Sequence, residues 1–176
     1  MLNIDFTPQR RNEEGTMPKA VGNSGKTQPV AITLTQGELT SLAREVKEVF
    51  GSGSGIILHY FGFGIGRQMA EDAGGSASKA KEAFEWYQGL LKDRGWGTVI
   101  IEMQTGSQMS GSISFSDLLP LEDSVIHEAI EMLLKGMFLG FVAEAFKTET
   151  VSMQKEKCVT RGDKACVFSF KTEVGE

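Results

Sequence analysis

The two cysteines of the chain, Cys158 and Cys166, are separated by seven residues, and they offer the most direct chemistry in the sequence. Gly162 and Asp163 lie between them, and both residue types favour the backbone of a tight turn. Thr and Val residues precede Cys158, and the residues from Cys166 onward alternate with the two-residue period of a β-strand. The sequence therefore predicts a β-hairpin whose base brings the two sulfur atoms together.

Thiolates and carboxylates are both ligands for zinc. On an extended strand Glu156 points to the same side as Cys158, because residues two apart share a face, and Cys166 stands opposite. These three side chains could supply three ligands of a tetrahedral site, with the fourth coming from a helix. A single cysteine pair more often marks two buried inert thiols, and it is also consistent with a redox-switchable pair. The spacing leaves all three interpretations open.

The composition excludes several classes of function. The chain has 176 residues, of which 40% are hydrophobic and 23% charged, as expected for one soluble globular domain. A net charge of −5 argues against a nucleic-acid surface. No apolar run is long enough to span a membrane, and the N-terminus lacks the apolar region of a signal peptide. We therefore expect a cytoplasmic protein, in which thiols are kept reduced.

The first half of the chain reads as a tail followed by helices. Residues 1–29 are polar and contain Pro and Gly, which predicts a flexible tail before a single domain at 30–173. Thr35 and Glu38 have the spacing of a capping box at the start of a first helix. A Gly- and Ser-rich break separates it from a second helix that ends near Asp72, although a strand is the alternative for residues 56–61. A third helix is predicted over 76–94.

The second half predicts two hairpins on either side of a long helix. Strands at 98–103 and 109–115 form the first hairpin, and a wide apolar stripe predicts a helix from Asp123 to Ala145. Gly136 inside it indicates that another backbone or a ligand lies against the helix. Glu131 is expected to face water, and His127 to be exposed, with a metal-ligand role as the alternative. This order predicts an α+β domain: an antiparallel sheet packed against several helices, with the long helix followed by a closing β-hairpin.

These motifs resemble those of a known family. The long helix contains Gly136-x-x-x-Gly140, and residues 156–168 read EKCVTRGDKACVF. This combination resembles the C-terminal motif of the 4-vinyl-reductase domain family, and Tyr60 to Arg67 is similar to that family's earlier glycine-containing helix. The resemblance covers about residues 35–171. It implies the ligand-binding fold shared by nitric-oxide sensors and Golgi trafficking subunits, an enclosed apolar pocket and a homodimer.

The resemblance also implies a zinc site, which is the one cofactor it suggests. In the aromatic-responsive sensors of the family, zinc is held by the two hairpin cysteines, an upstream glutamate and a cysteine on the long helix. Cys158 and Cys166 match the hairpin ligands. Lys155 stands where the glutamate is usual, so Glu156, one residue later, is one candidate carboxylate ligand. Glu131 is the other, because it stands at about the position of the helix cysteine.

The favoured interpretation is a sensor-type domain that binds a small hydrophobic molecule and does not itself catalyse a reaction. Three alternatives stay open: a redox sensor based on the cysteine pair, an accessory protein for tetrapyrrole vinyl reduction, and a trafficking-type interaction module. An enzyme would need a cofactor site, and the sequence offers none. The predicted pocket residues are apolar side chains of the long helix, the sheet and the second helix: Leu133, Met137, Phe138, Phe141, Phe61, Phe63, Ile113, Phe115 and Phe168.

Overall fold

The computed structural model describes residues 35–73, 80–104, 109–117, 123–148 and 150–173. Within these ranges the chain forms helices and one antiparallel sheet, which confirms the predicted α+β class. The predicted tail at 1–29 lies outside the described residues, so the domain boundaries stay a prediction. The elements in chain order are α1 (Gln36–Phe50), α2 (Ser54–Asp72), α3 (Ala80–Asp93), β1 (Thr98–Gln104), β2 (Ser110–Ser116), α4 (Ser124–Ala145), β3 (Thr150–Lys157) and β4 (Cys166–Glu173).

Side-chain caps fix the starts of two helices. The Thr35 hydroxyl accepts a hydrogen bond from the Glu38 backbone N–H at 3.3 Å, and the Glu38 carboxylate accepts one from the Thr35 N–H at 2.8 Å. This is the predicted capping box. Asp123 caps α4 by accepting hydrogen bonds from the N–H groups of Val125 and Ile126. The second helix begins at Ser54, so residues 56–61 are helical and the strand alternative is wrong.

The sheet has the strand order β1-β2-β4-β3, and every pair of neighbouring strands is antiparallel. The two predicted hairpins are therefore joined at the centre of the sheet, where β2 pairs with β4. Ile113 pairs there with Phe168, and both side chains are buried on the face that carries the hydrophobic core. Cys166 pairs with the buried Phe115 and so faces the same side. The sheet thus directs the first residue of β4 into the interior.

Helices α2 and α4 pack with their backbones in contact. A Cβ atom added to Gly62 or Gly66 would collide with backbone carbonyls of α4, and one added to Gly136 or Gly140 would collide with those of α2. Each helix therefore presents two glycines to the other. The approach buries Leu133, Met137 and Phe141, which lie on α4 around the contact. A neighbouring backbone is thus the physical reason for the glycines within α4.

Candidate metal centre

Four side chains from two parts of the chain meet in the interior. His127 and Glu131 come from α4, and Cys158 and Cys166 come from the closing hairpin. All four residues are buried, and their potential ligand atoms lie within 4.8 Å of one another. They are close enough to hold a metal ion.

The helix contributes two residues of the cluster from successive turns. His127 and Glu131 are four residues apart and therefore lie on the same face of α4. Both were expected to face water, and this expectation was wrong, because each residue is only 5% exposed. The closing hairpin covers the first two turns of α4, and the periodicity of one helix cannot reveal which partner will cover its polar side.

A bulge in β3 decides which hairpin residues reach the site. Lys155 pairs with Phe168 and Lys157 with Val167, so Glu156 is the extra residue on β3. Its side chain points outward and accepts a hydrogen bond from the Ser169 hydroxyl at 2.7 Å. Glu156 is therefore not among the four clustered residues, whereas Lys155 shares the inward face with the buried Phe168.

The turn of the hairpin holds the first cysteine in place. Gly162 adopts a left-handed conformation with φ of 90°, which suits glycine. The Asp163 carboxylate accepts a hydrogen bond from the Cys158 backbone N–H at 2.8 Å. The Thr160 hydroxyl lies 2.9 Å from Cys158 Sγ. Gly162 therefore ends a short 3₁₀ helix (Val159–Arg161) in the connection between β3 and β4, and Asp163 fixes the backbone of Cys158.

Five separations between the potential ligand atoms are close to those of a tetrahedral zinc site, and all four atoms lie within 4.8 Å of one another. His127 Nε2 lies 3.3 Å from Cys166 Sγ, 3.8 Å from Cys158 Sγ and 3.5 Å from Glu131 Oε1. Cys158 Sγ lies 3.4 Å from Glu131 Oε1 and 3.6 Å from Cys166 Sγ. A tetrahedron with zinc bonds of about 2.0–2.3 Å has edges of about 3.3–3.8 Å. The four donor atoms therefore match zinc in chemical type, and these five separations match the spacing of its ligands.

The surroundings favour ionisation of the Glu131 carboxyl group more than ionisation of the two thiols. Burial opposes ionisation of Glu131, but hydrogen bonds with His127 and Lys155 outweigh it and lower the pKa to about 2. Burial raises the pKa of Cys166 to about 12. Burial also opposes ionisation of Cys158, but its hydrogen bond with Thr160 outweighs that effect and lowers the pKa. Without metal, Glu131 is thus already ionised, whereas Cys166 must lose a proton before it can act as a thiolate ligand.

A fifth charged group borders the cluster. Lys155 Nζ forms an ion pair with Glu131 Oε2 and lies 3.9 Å from Cys158 Sγ. The pKa of His127 is raised, chiefly by its hydrogen bond with Glu131. The Glu131 carboxylate thus interacts with Lys155 through one oxygen and with His127 through the other.

The predicted pocket residues are distributed unequally. Leu133, Met137, Phe138, Phe141, Ile113, Phe115 and Phe168 are all buried in one core. Phe63 is half-buried, and Phe61 is 53% exposed on α2, so the structure does not bring Phe61 to the others.

A residue that was not among the predicted pocket residues lies within the aromatic core. Tyr87 on α3 is fully buried, with its ring 4.7 Å from that of Phe141 and 5.9 Å from that of Phe138, measured between centroids. Its hydroxyl has no hydrogen-bond partner among the described residues. Burial raises the pKa of Tyr87, so the hydroxyl stays protonated. The only signal in the sequence is a tyrosine at a core-facing position of α3.

Comparison with known proteins gives matches at the level of structure. No family model matches the chain, and no curated protein matches it. The phenol-responsive sensory domain of the transcription activator PoxR with phenol has a TM-score of 0.64 at 18% identity, over 81% of this chain and 76% of that one. Subunit 3 of a trafficking protein particle complex from Naegleria fowleri, covalently bound to palmitic acid, has a TM-score of 0.54 at 14% identity, over 79% and 93%.

A vinyl-4-reductase family protein from Methanocaldococcus jannaschii gives a TM-score of 0.51 at 15% identity, over 82% of this chain and 85% of that one. The chain shares their fold. This confirms, at the level of fold, the resemblance drawn from the glycines of α4 and the closing hairpin. Within the described part of the chain, no helix has the length and apolar character needed to cross a membrane.

Proposed function

We propose that this chain is a sensor-type domain that binds a small hydrophobic molecule and uses a zinc ion to join α4 to its closing hairpin. The observation that carries the proposal is the buried cluster of His127, Glu131, Cys158 and Cys166, whose potential ligand atoms lie within 4.8 Å of one another. Zinc bound there would act as a cross-link between the helix that lines the core and the hairpin that closes the sheet. Four protein ligands leave no position for water or substrate, as is typical of structural rather than catalytic zinc.

The ligand part of the proposal rests on the aromatic core around Tyr87. A buried hydroxyl without a partner costs about 1–3 kcal/mol. A small aromatic molecule with a polar group, placed beside Tyr87, would give the hydroxyl a partner while its ring packs against Phe138 and Phe141. The fold shared with a phenol-responsive sensory domain supports the same class of ligand.

Two measurements on the purified full chain test these parts separately. Native mass spectrometry should find one zinc ion per chain, and none in the Cys166→Ser variant. Thermal-shift titration should show saturable stabilisation by phenol, and Tyr87→Phe should weaken phenol binding about fivefold to tenfold through loss of one hydrogen bond. Toluene, which cannot make that bond, serves as the matched ligand control. The absence of zinc would contradict the metal part. If neither phenol nor toluene stabilises the protein, the ligand part is contradicted.

The homodimer expected from the resemblance also has support from the surface. Apolar residues at the end of α1 and on one face of α2 are exposed, and isolated domains rarely expose so many together. Phe61 belongs to this group and is better suited to an interface with a second copy than to a pocket. The exposed residues are Val49, Phe50, Ile56, Tyr60 and Phe61. Light scattering should give twice the chain mass, and Tyr60→Glu should give the monomer mass.

The redox alternative is favoured by the 3.6 Å separation of the two sulfur atoms. Hydrogen peroxide would convert the two thiols to one disulfide, taking two electrons and two protons and yielding two water molecules. The disulfide and the zinc site exclude each other, because zinc needs both thiolates. Thiol titration after peroxide treatment distinguishes them: rapid reversible loss of both thiols in the zinc-supplied protein would favour the redox sensor.

A further inference from the structure

Within the proposed zinc site, we infer that Lys155 is a positioning residue: it balances the charge of the metal-loaded cluster and holds Glu131 as a ligand through one oxygen. This inference rests on the proposed function, because it describes how this chain would retain the zinc ion. Lys155 is also the residue that departs from the resemblance, which puts a carboxylate at its position.

The two oxygens of Glu131 have different partners. Oε1 faces the cluster, 3.4 Å from Cys158 Sγ and 3.5 Å from His127 Nε2. Oε2 is held by the ammonium group of Lys155. A carboxylate fixed at one oxygen cannot rotate to bind a metal through both. Glu131 is therefore held ready to supply a single oxygen as the fourth ligand of a tetrahedral site.

The charges balance only when Lys155 is counted. Zinc carries two positive charges, and two thiolates with one carboxylate carry three negative charges, while His127 as a ligand is neutral. The loaded cluster alone would therefore have a net charge of −1 in a buried position, which is unfavourable. The ammonium group of Lys155 makes the whole assembly neutral.

The same balance holds without metal. When both thiols are protonated, they lie beside the ion pair of Glu131 and Lys155. One Zn²⁺ ion would then displace two thiol protons, so the net charge of the cluster would not change on binding. Lysine is ordinarily an ammonium ion at neutral pH, and the ion pair with Glu131 favours that form. Lys155 is thus charged before the metal arrives.

The backbone explains how Lys155, on the edge strand β3, reaches Glu131. The bulge at Glu156 changes the register of β3, and Lys155 lies on the inward face opposite Phe168. The Lys155 side chain is 36% exposed, whereas that of Glu131 is 6% exposed. The long stem therefore brings the charge inward from the rim of the site, where part of it still contacts water.

The test is the zinc affinity of the full chain, measured by competition with a chromophoric chelator. Lys155→Gln removes the charge and should weaken zinc binding about 10–100-fold, which is typical for loss of a partner that orients a metal ligand. Lys155→Arg keeps the charge and a donor and should restore affinity to within about threefold of the original protein. Lys157→Gln removes an exposed charge from the same hairpin and should leave the affinity unchanged.

Spectra of the Co²⁺-substituted protein provide a readout that a purely structural role would not affect. Loss of the Lys155 contact should shift the ligand-field bands, because Glu131 becomes free to change its mode of binding. Circular dichroism of each metal-free variant checks that the fold is intact. Equal zinc affinity in Lys155→Gln and the original protein would overturn this inference alone, whereas absence of zinc from the original protein would overturn the metal proposal and this inference together.

Discussion

The first half of α4 is buried by polar contacts and the second half by close packing of backbones. His127 and Glu131 face the closing hairpin through hydrogen bonds and ion pairs. Gly136 and Gly140 face α2 with no side chain between the two helices. One half is therefore held by groups whose charge depends on protons and metal, and the other by steric fit. The second half sets where the helix lies, and the first half determines what can bind to it.

This difference gives the two halves separate sensitivities. A change in the glycine half should alter stability equally with and without zinc. A change in the polar half should alter zinc affinity more than it alters the stability of the metal-free protein. Paired measurements of urea unfolding and zinc affinity therefore test the comparison.

The largest expected effect is in the glycine half. Gly136→Ala would place a methyl group against the backbone carbonyl of His59, which cannot move without shifting α2. We expect a loss of about 3 kcal/mol or more in the free energy of unfolding, at the upper end for overpacking. Gly64→Ala is the matched control in α2, because nothing lies within 4 Å of its added Cβ. It should stabilise the protein by about 1 kcal/mol through helix propensity. Equal stabilities of the two variants would contradict the packing account.

A smaller effect is expected in the polar half. Glu131→Gln leaves Lys155 without its carboxylate partner and should lower the stability of the metal-free protein by about 1–3 kcal/mol. The same variant should lose most zinc affinity, because a neutral amide replaces an anionic ligand. Glu128→Gln on the exposed side of α4 is the control and should change neither quantity. A Glu131→Gln variant that binds zinc as the original protein does would remove Glu131 from the ligand set.

The smallest effect is expected at the start of α4. Asp123→Ala removes the N-cap and should cost about 1 kcal/mol. Because His127 lies in the first turns, fraying there should also weaken zinc binding. Thr35→Ala removes the cap of α1 at a similar cost in stability and should leave zinc affinity unchanged. If both variants weaken zinc binding alike, the effect reflects general loss of stability rather than the position of His127.

The sequence was sufficient for the elements that depend on local chemistry. A capping box marked the start of α1, an apolar stripe marked α4, alternation marked β2 and β4, and Gly162-Asp163 marked the connection between the cysteines. The glycines at 136 and 140 also pointed to close packing before their partner helix was known. Each of these features is encoded within a few neighbouring residues.

The buried cluster of His127, Glu131, Cys158 and Cys166 depends on contacts between distant elements, which sequence patterns reveal only in part. His127 and Glu131 look like solvent-facing residues on an isolated helix, because the hairpin cysteines that they contact lie 27 to 39 residues further along the chain. The bulge in β3 places Lys155 on the inward face and Glu156 on the outward face, the reverse of what regular alternation back from Cys158 predicts. Phe61 resembled a pocket residue by type, but its position on α2 turns it outward.

X-ray absorption at the zinc edge of the metal-loaded protein tests the central claim most directly. The account predicts one zinc ion per chain with two sulfur ligands at about 2.3 Å and two nitrogen or oxygen ligands at about 2.0–2.2 Å. Cys166→Ser should fail to retain zinc. A shell containing only oxygen and nitrogen, or one containing four sulfur atoms, would contradict the assignment of His127, Glu131, Cys158 and Cys166 as the zinc site.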